Sequence, residues 1–181
     1  MASYWILFLI LSFNALNSNK INKNNKNFYS NKLNLIWYFW IFILTLFIGF
    51  RYDVGTDWNS YIRIIDLISS LHILEMITNP EWNQSFSFTL LNWISGKLGL
   101  GVYGINVFMA FLFSLFLIIF CNDHPRPHLA LAVSFPFIIL IGIMGYGRQG
   151  VALGFFMIYL LYLKKEKNFN FIICIVFAAS F

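Results

Sequence analysis

Apolar residues fall in long runs separated by short polar stretches. The runs at 2–16, 35–50, 101–121, 129–145 and 150–163 each predict a helix, and a further run begins at 169–181. No stretch alternates apolar and polar positions in the manner of an outer-membrane barrel strand. Backbone groups in lipid must be satisfied within the segment itself, so spans built from these runs are expected to be α-helices. The expected fold class is all-α, a polytopic integral membrane protein in one domain with about five complete spans and a truncated one.

Residues 51–100 interrupt this pattern between the second and third spans. From Trp58 towards Asn79 the spacing is helical with a polar stripe: Asn59, Arg63, Asp66 and Ser70 recur at intervals of four, three and four and share one face. Thr56 or Asp57 is placed to cap the start, and Asn79-Pro80 to end it. This predicts an amphipathic helix on the outer interface, followed by a short re-entrant or interfacial helix over 86–98. The glycines at 96, 99, 101 and 104 then break the chain before the next span.

Composition agrees with a membrane reading. The 181 residues are 60% hydrophobic and 10% charged, with mean hydropathy +0.73, more apolar surface than a soluble domain of this size requires. The net charge of +5 would suggest nucleic acid in a soluble protein. Here the lysines lie in loops between apolar runs and report orientation, so no nucleic-acid partner is expected. Lys20, Lys23, Lys26 and Lys32 mark 17–34 as cytoplasmic. If 86–98 does not cross, alternation puts the Arg51 and Arg148 regions outside and Lys164, Lys165 and Lys167 inside. If that segment crosses, Arg148 falls inside instead. The apolar N-terminus lacks a preceding Lys or Arg and reads as a retained short helix, not a signal peptide. The last run stops after eleven residues from Phe171, short of the ~20 a span needs, so an incomplete chain is expected.

Candidate chemistry gathers in two polar clusters at span ends, where ionisable groups are costly to keep. The first, Arg51-Tyr52-Asp53-Val54-Gly55-Thr56-Asp57-Trp58-Asn59-Ser60-Tyr61, follows the run 35–50; the second is Gly145-Tyr146-Gly147-Arg148-Gln149-Gly150. Guanidinium offers a planar fork of donors for phosphate oxygens, so Arg51 and Arg148 are candidates for holding a diphosphate. The alternative is pairing with a nearby carboxylate or snorkelling to the interface. Asp53 or Asp57 is a candidate base towards a sugar hydroxyl if burial raises its pKa; the alternatives are a divalent-ion site, a helix cap at Asp57 and an Asp53–Arg51 pair. Tyr52, Trp58 and Tyr61 suit the interfacial aromatic belt, and their faces also stack on sugars. His124 and His128 are separated by prolines with no helix to align them, so no metal site is expected there. Cys121 and Cys174 read as packing residues. No glycine phosphate loop, nucleophile elbow or haem motif occurs, and no cofactor is expected.

The block Gly49 to Tyr61, with Glu81 before Phe88-Thr89-Leu90-Leu91-Asn92 and then Tyr146-Gly147-Arg148-Gln149-Gly150-Val151-Ala152, resembles the EpsG family. These are Wzy-like polytopic proteins of bacterial exopolysaccharide, capsule and O-antigen synthesis, usually longer than this chain. The resemblance covers about 35–163. It implies a multi-pass protein of the bacterial cytoplasmic membrane that polymerises undecaprenyl-diphosphate-linked repeat units on the outer face, with the present length expected to be inactive or incomplete by itself. Its implied partners are that lipid-linked glycan, the bilayer and other polysaccharide-assembly proteins. In this reading Asp53, Asp57 and Arg148 are catalytic, and Arg51, Tyr52, Tyr61, Glu81 and Gln149 contact substrate. A membrane transferase adding single sugars from a lipid phosphosugar is the rival enzyme reading. A flippase subunit is the non-enzymatic one; it would place charges near mid-membrane, whereas here they sit at span ends.

Overall fold

The computed structural model describes residues 2–18, 33–72, 75, 86–164 and 168–181, and all of the regular structure among them is helical. The helices are α1 (Ala2–Asn17), α2 (Leu35–Gly49), α3 (Trp58–Ser69), α4 (Phe86–Lys97), α5 (Gly101–Asn122) and α6 (Pro127–Ser134), which runs on as a π-helix (Phe135–Ile143). Then come α7 (Gly147–Lys164) and α8 (Asn168–Ser180). Each of the six apolar runs lies on helix whose ends fall within three residues of the run's own; the largest shift is at α7, which starts three residues early and draws Arg148 and Gln149 into its first turn.

Helix α5 is the axis of the fold. At 22 residues it measures about 33 Å, close to the ~30 Å hydrocarbon thickness of a bilayer. Among the described residues it is the one helix both long and apolar enough to cross a membrane; α1, α2 and the segment Pro127–Ile143 are apolar but shorter. It buries Ile105, Met109, Phe113, Leu117 and Cys121 at steps of four, against α2 on one side and α7 on the other. Small residues set these approaches. A Cβ on Gly49 of α2 would come within 2.8 Å of the Val107 backbone, and one on Gly154 of α7 within 3.1 Å of Phe116. α1 lies against α6 and the π-helix, where Phe8 and Phe135 stack at 5.9 Å between ring centres.

The outer surface of the bundle is strongly apolar. Trp5, Phe13, Leu35, Phe42, Val133 and Phe137 are each more than half exposed. Exposed apolar area of this extent marks a surface that meets lipid or another protein.

The interruption at 51–100 contains α3 and α4, packed on each other and on α5. α3 has the expected amphipathic form: Trp58, Tyr61, Ile65 and Ile68 are buried, while Asn59, Arg63, Asp66 and Ser70 face out. It ends at Ser69, ten residues before the expected stop at Asn79; Asn79-Pro80 and Glu81 lie outside the described residues. Tyr61 meets Phe88 early in both helices and Gly96 fits against Ser69 late in both, so the two run side by side. The indole of Trp93 donates to the Leu71 carbonyl at 3.1 Å and fixes the turn after α3.

The two ends of the bundle differ in chemistry. At one end lie the close of α2 and the starts of α3, α5 and α7. At the other, Lys164 pairs with Asp123 at 2.7 Å, and the His128 ring stacks on Trp37 at 4.6 Å.

Candidate functional site

The two polar clusters, about ninety residues apart in sequence, meet at one end of the bundle. The reason is local. Where the π-helix ends at Ile143 and α7 begins at Gly147, the last carbonyls of a helix lose their intrahelical partners. The loop after α2 supplies replacements. The Arg51 guanidinium donates from Nη1 to the Ile143 carbonyl. Thr56 donates to the Gly145 carbonyl from both its backbone amide (3.3 Å) and its hydroxyl (3.4 Å).

The shape of this loop rests on unusual backbone. Asp53 has φ +49 and Gly55 φ +99. Aspartate is among the few side chains that visit the left-handed region routinely. Gly55 is required on two counts, since a Cβ there would also lie 2.5 Å from the Met144 carbonyl oxygen and 2.9 Å from that of Gly145.

Arg51 points inward and is 8% exposed. Its Nη2 donates to Oδ1 of Asn106 on α5 at 3.4 Å. Burial pulls the guanidinium below the ordinary arginine value, against the opposing influence of Tyr61 and Asp57. Arg51 pairs with neither Asp53 nor any other carboxylate among the described residues, so the expected alternative of an Asp53–Arg51 pair is not what forms.

Asp57 occupies the position before α3 but makes no side-chain cap there. Its carboxylate instead accepts a hydrogen bond from the buried Tyr61 hydroxyl, one turn on, at 3.1 Å. Burial, and then the Asp57 charge, hold the Tyr61 phenol well above its ordinary value, so it remains a donor at neutral pH. Gly147, the first residue of α7, lets this hydroxyl close in: a Cβ would lie 2.9 Å from Tyr61 Oη and 3.3 Å from Arg51 Nη2. Arg148 follows on the first turn of α7, partly exposed, with its guanidinium 5.0 Å above the Phe88 ring.

Arg51, Asp57, Tyr61 and Arg148 therefore form one constellation. Tyr52, Asp53 and Gln149 are exposed on its rim; Tyr52 sets its ring edge-on against Trp58 at 5.7 Å. Glu81 lies outside the described residues. The sequence reading missed Asn106 and gave no role to Asn92 within the block it quoted; both are buried. Asn92 donates to the Phe88 backbone carbonyl, one turn back in α4, at 2.7 Å. An amide inside an apolar run is costly, and that was the signal in the sequence that could have found Asn106. Among the described residues no three His, Cys, Asp or Glu side chains gather to hold a metal ion.

A family model for EpsG matches residues 34–181. The chain belongs to the EpsG family. No curated protein and no solved structure matches it significantly. EpsG membership ties the chain, at family level, to Wzy-like polysaccharide polymerisation and to a lipid-linked glycan in a membrane setting. All four residues of the constellation fall inside the EpsG match.

Proposed function

We propose that this EpsG-family chain spans the bacterial cytoplasmic membrane several times and carries the outer-face site of a polymerase for undecaprenyl-diphosphate-linked repeat units. The observation that carries this reading is the docking of the loop after α2 onto the start of α7, which joins a carboxylate, a phenol and an accessible arginine. The apolar belt of the bundle supports the multi-pass arrangement. The Lys164–Asp123 pair at the opposite end fits a cytoplasmic face there.

The acceptor sugar hydroxyl attacks the anomeric carbon of the growing glycan. A new glycosidic C–O bond forms while the bond to the lipid diphosphate breaks. Diphosphate leaves with the electron pair, and the hydroxyl proton passes to a carboxylate. Asp57 is the candidate acceptor of that proton, held in place by the Tyr61 hydroxyl; Asp53 on the rim is the second. Arg148 sits on the first turn of an 18-residue helix, where the backbone dipole also favours negative charge. It is suited to stabilise the additional negative charge that builds on the departing diphosphate as the C–O bond breaks. The exposed Tyr52 and Gln149 are candidates for contacts with the sugars.

The test is a size profile of lipid-linked and surface glycans from cells lacking the intact gene, alone and complemented. A polymerase leaves single lipid-linked repeats that complementation converts to long polymer. Repeats trapped on the inner leaflet would mark a flippase, and incomplete repeats a single-sugar transferase. Complementation with Arg148→Lys keeps charge but loses the bidentate fork. Unchanged polymer length in that strain would remove Arg148 from the chemistry.

A further inference from the structure

The two arginines of the site are built differently. Arg148 is partly exposed, rests on an aromatic face and meets no carboxylate among the described residues. Arg51 is buried, and both of its terminal nitrogens are engaged, Nη1 by the Ile143 carbonyl and Nη2 by Asn106. Its remaining donor, Nε, is buried with no acceptor. An anion could reach Arg51 only by displacing the Ile143 carbonyl and the Asn106 amide, leaving both buried without a partner.

We infer that Arg51 and Asn106 are positioning residues, an internal bolt between α2, α5 and the end of the π-helix that fixes where α7 begins, and that anionic substrate meets Arg148 and not Arg51. The consequence runs through Gly147. With the bolt closed, Arg51 Nη2 and Tyr61 Oη both lie against Gly147, so the next residue, Arg148, projects from a fixed turn over Phe88. With it open, the Ile143 carbonyl loses its partner and the first turn of α7 loses its anchor. The anion in this inference rests on the polymerase reading, whereas the bolt does not.

Asn106 offers a substitution that separates the two roles. Its Oδ1 accepts from Arg51 while its Nδ2 is buried without a partner. Asn106→Asp keeps the acceptor, replaces the orphaned donor with oxygen and gives Arg51 a counter-charge. A bolt tolerates this change, whereas a substrate-binding Arg51 would be neutralised by it.

The experiment uses the complete protein in native membranes and an arginine-selective dicarbonyl reagent, with modified residues read by peptide mass spectrometry. Arg148 is expected to react at least about tenfold faster than Arg51, as exposed and engaged guanidinium groups differ. Added inorganic diphosphate is expected to slow labelling at Arg148 alone. Comparable labelling of Arg51, with protection by diphosphate, overturns the inference. An inert Arg51 beside an Arg148 that diphosphate does not protect upholds the bolt and instead sinks the assignment of anion binding. In turnover assays Asn106→Asp is expected to keep KM for the lipid-linked repeat within about twofold, while a rise of about tenfold or more also overturns the inference.

Discussion

Replacing Gly55 by alanine tests the docking that joins the two clusters. The residue has φ +99, and a side chain there meets the Met144 carbonyl oxygen at 2.5 Å and that of Gly145 at 2.9 Å. Holding alanine at such a φ costs about 1–2 kcal/mol. The carbonyls are backbone atoms at a helix junction and cannot swing aside, so relief requires the loop to lift. Lifting strains or breaks the two Thr56 hydrogen bonds to Gly145, each worth about 0.5–1.5 kcal/mol. The sum is about 2–5 kcal/mol. Gly99 supplies the control: it too has positive φ (+69), but a Cβ there meets nothing within 4 Å, so Gly99→Ala isolates the conformational part at about 1–2 kcal/mol. The assay is thermal unfolding of the complete protein in detergent, run on wild type and both variants. Gly55→Ala is expected to melt on the order of 10 °C below wild type and clearly below Gly99→Ala. Equal melting of the two alanine variants would refute the argument, because the contact with Met144 and Gly145 would then contribute nothing.

Tyr61→Phe removes the donor to Asp57 while keeping the ring against Phe88, and is expected to cost about 1.5–3 kcal/mol in the same melting assay, as for a hydrogen bond to a charged group. Asp123→Asn breaks the pair with Lys164, whose side chain is largely exposed, and is expected to shift stability by less than about 1 kcal/mol; a larger loss would show that this end of the bundle depends on it. Burial lowers the His128 pKa below its ordinary 6.5, so the folded state favours the neutral ring. Its contribution to stability is present above about pH 6.5 and lost as pH falls through the lower folded value. A His128→Phe variant, which keeps a ring on Trp37, is expected to show a flatter melting profile between pH 5 and 7, and an unchanged profile would dismiss the histidine as its source.

Much of the bundle was legible because its apolar helices leave uninterrupted apolar runs in the sequence. That the two clusters meet agrees with one of the two arrangements the sequence left open, the one in which both lie on the same side. What escaped are features set by tertiary contact. Gly147 lay before the expected run 150–163, yet it opens α7, where the absence of a side chain allows the close approach of Tyr61 and Arg51. Asp57 has the residue type of a helix cap, but its carboxylate is drawn to the Tyr61 hydroxyl that burial brings beside it. Arg51 and Asn106 lie 55 positions apart, and nothing local predicts that they meet. The π-helix was invisible because its composition is that of any apolar span: Phe135–Ile143 would serve as well in an α-helix.

That π-helix gives the segment a sensitivity to length as well as to residue type. Each residue of an α-helix advances the chain by about 100° around the axis. Deleting one residue between Phe135 and Ile143 would let the wide turns relax into α-helix with little harm to the helix itself. The Ile143 carbonyl would then turn away from Arg51, and the Gly145 carbonyl from Thr56. Conservative substitutions there should pass nearly unnoticed, whereas a single-codon deletion should uncouple two regions about ninety residues apart. The segment acts as a spacer whose count of residues carries the information.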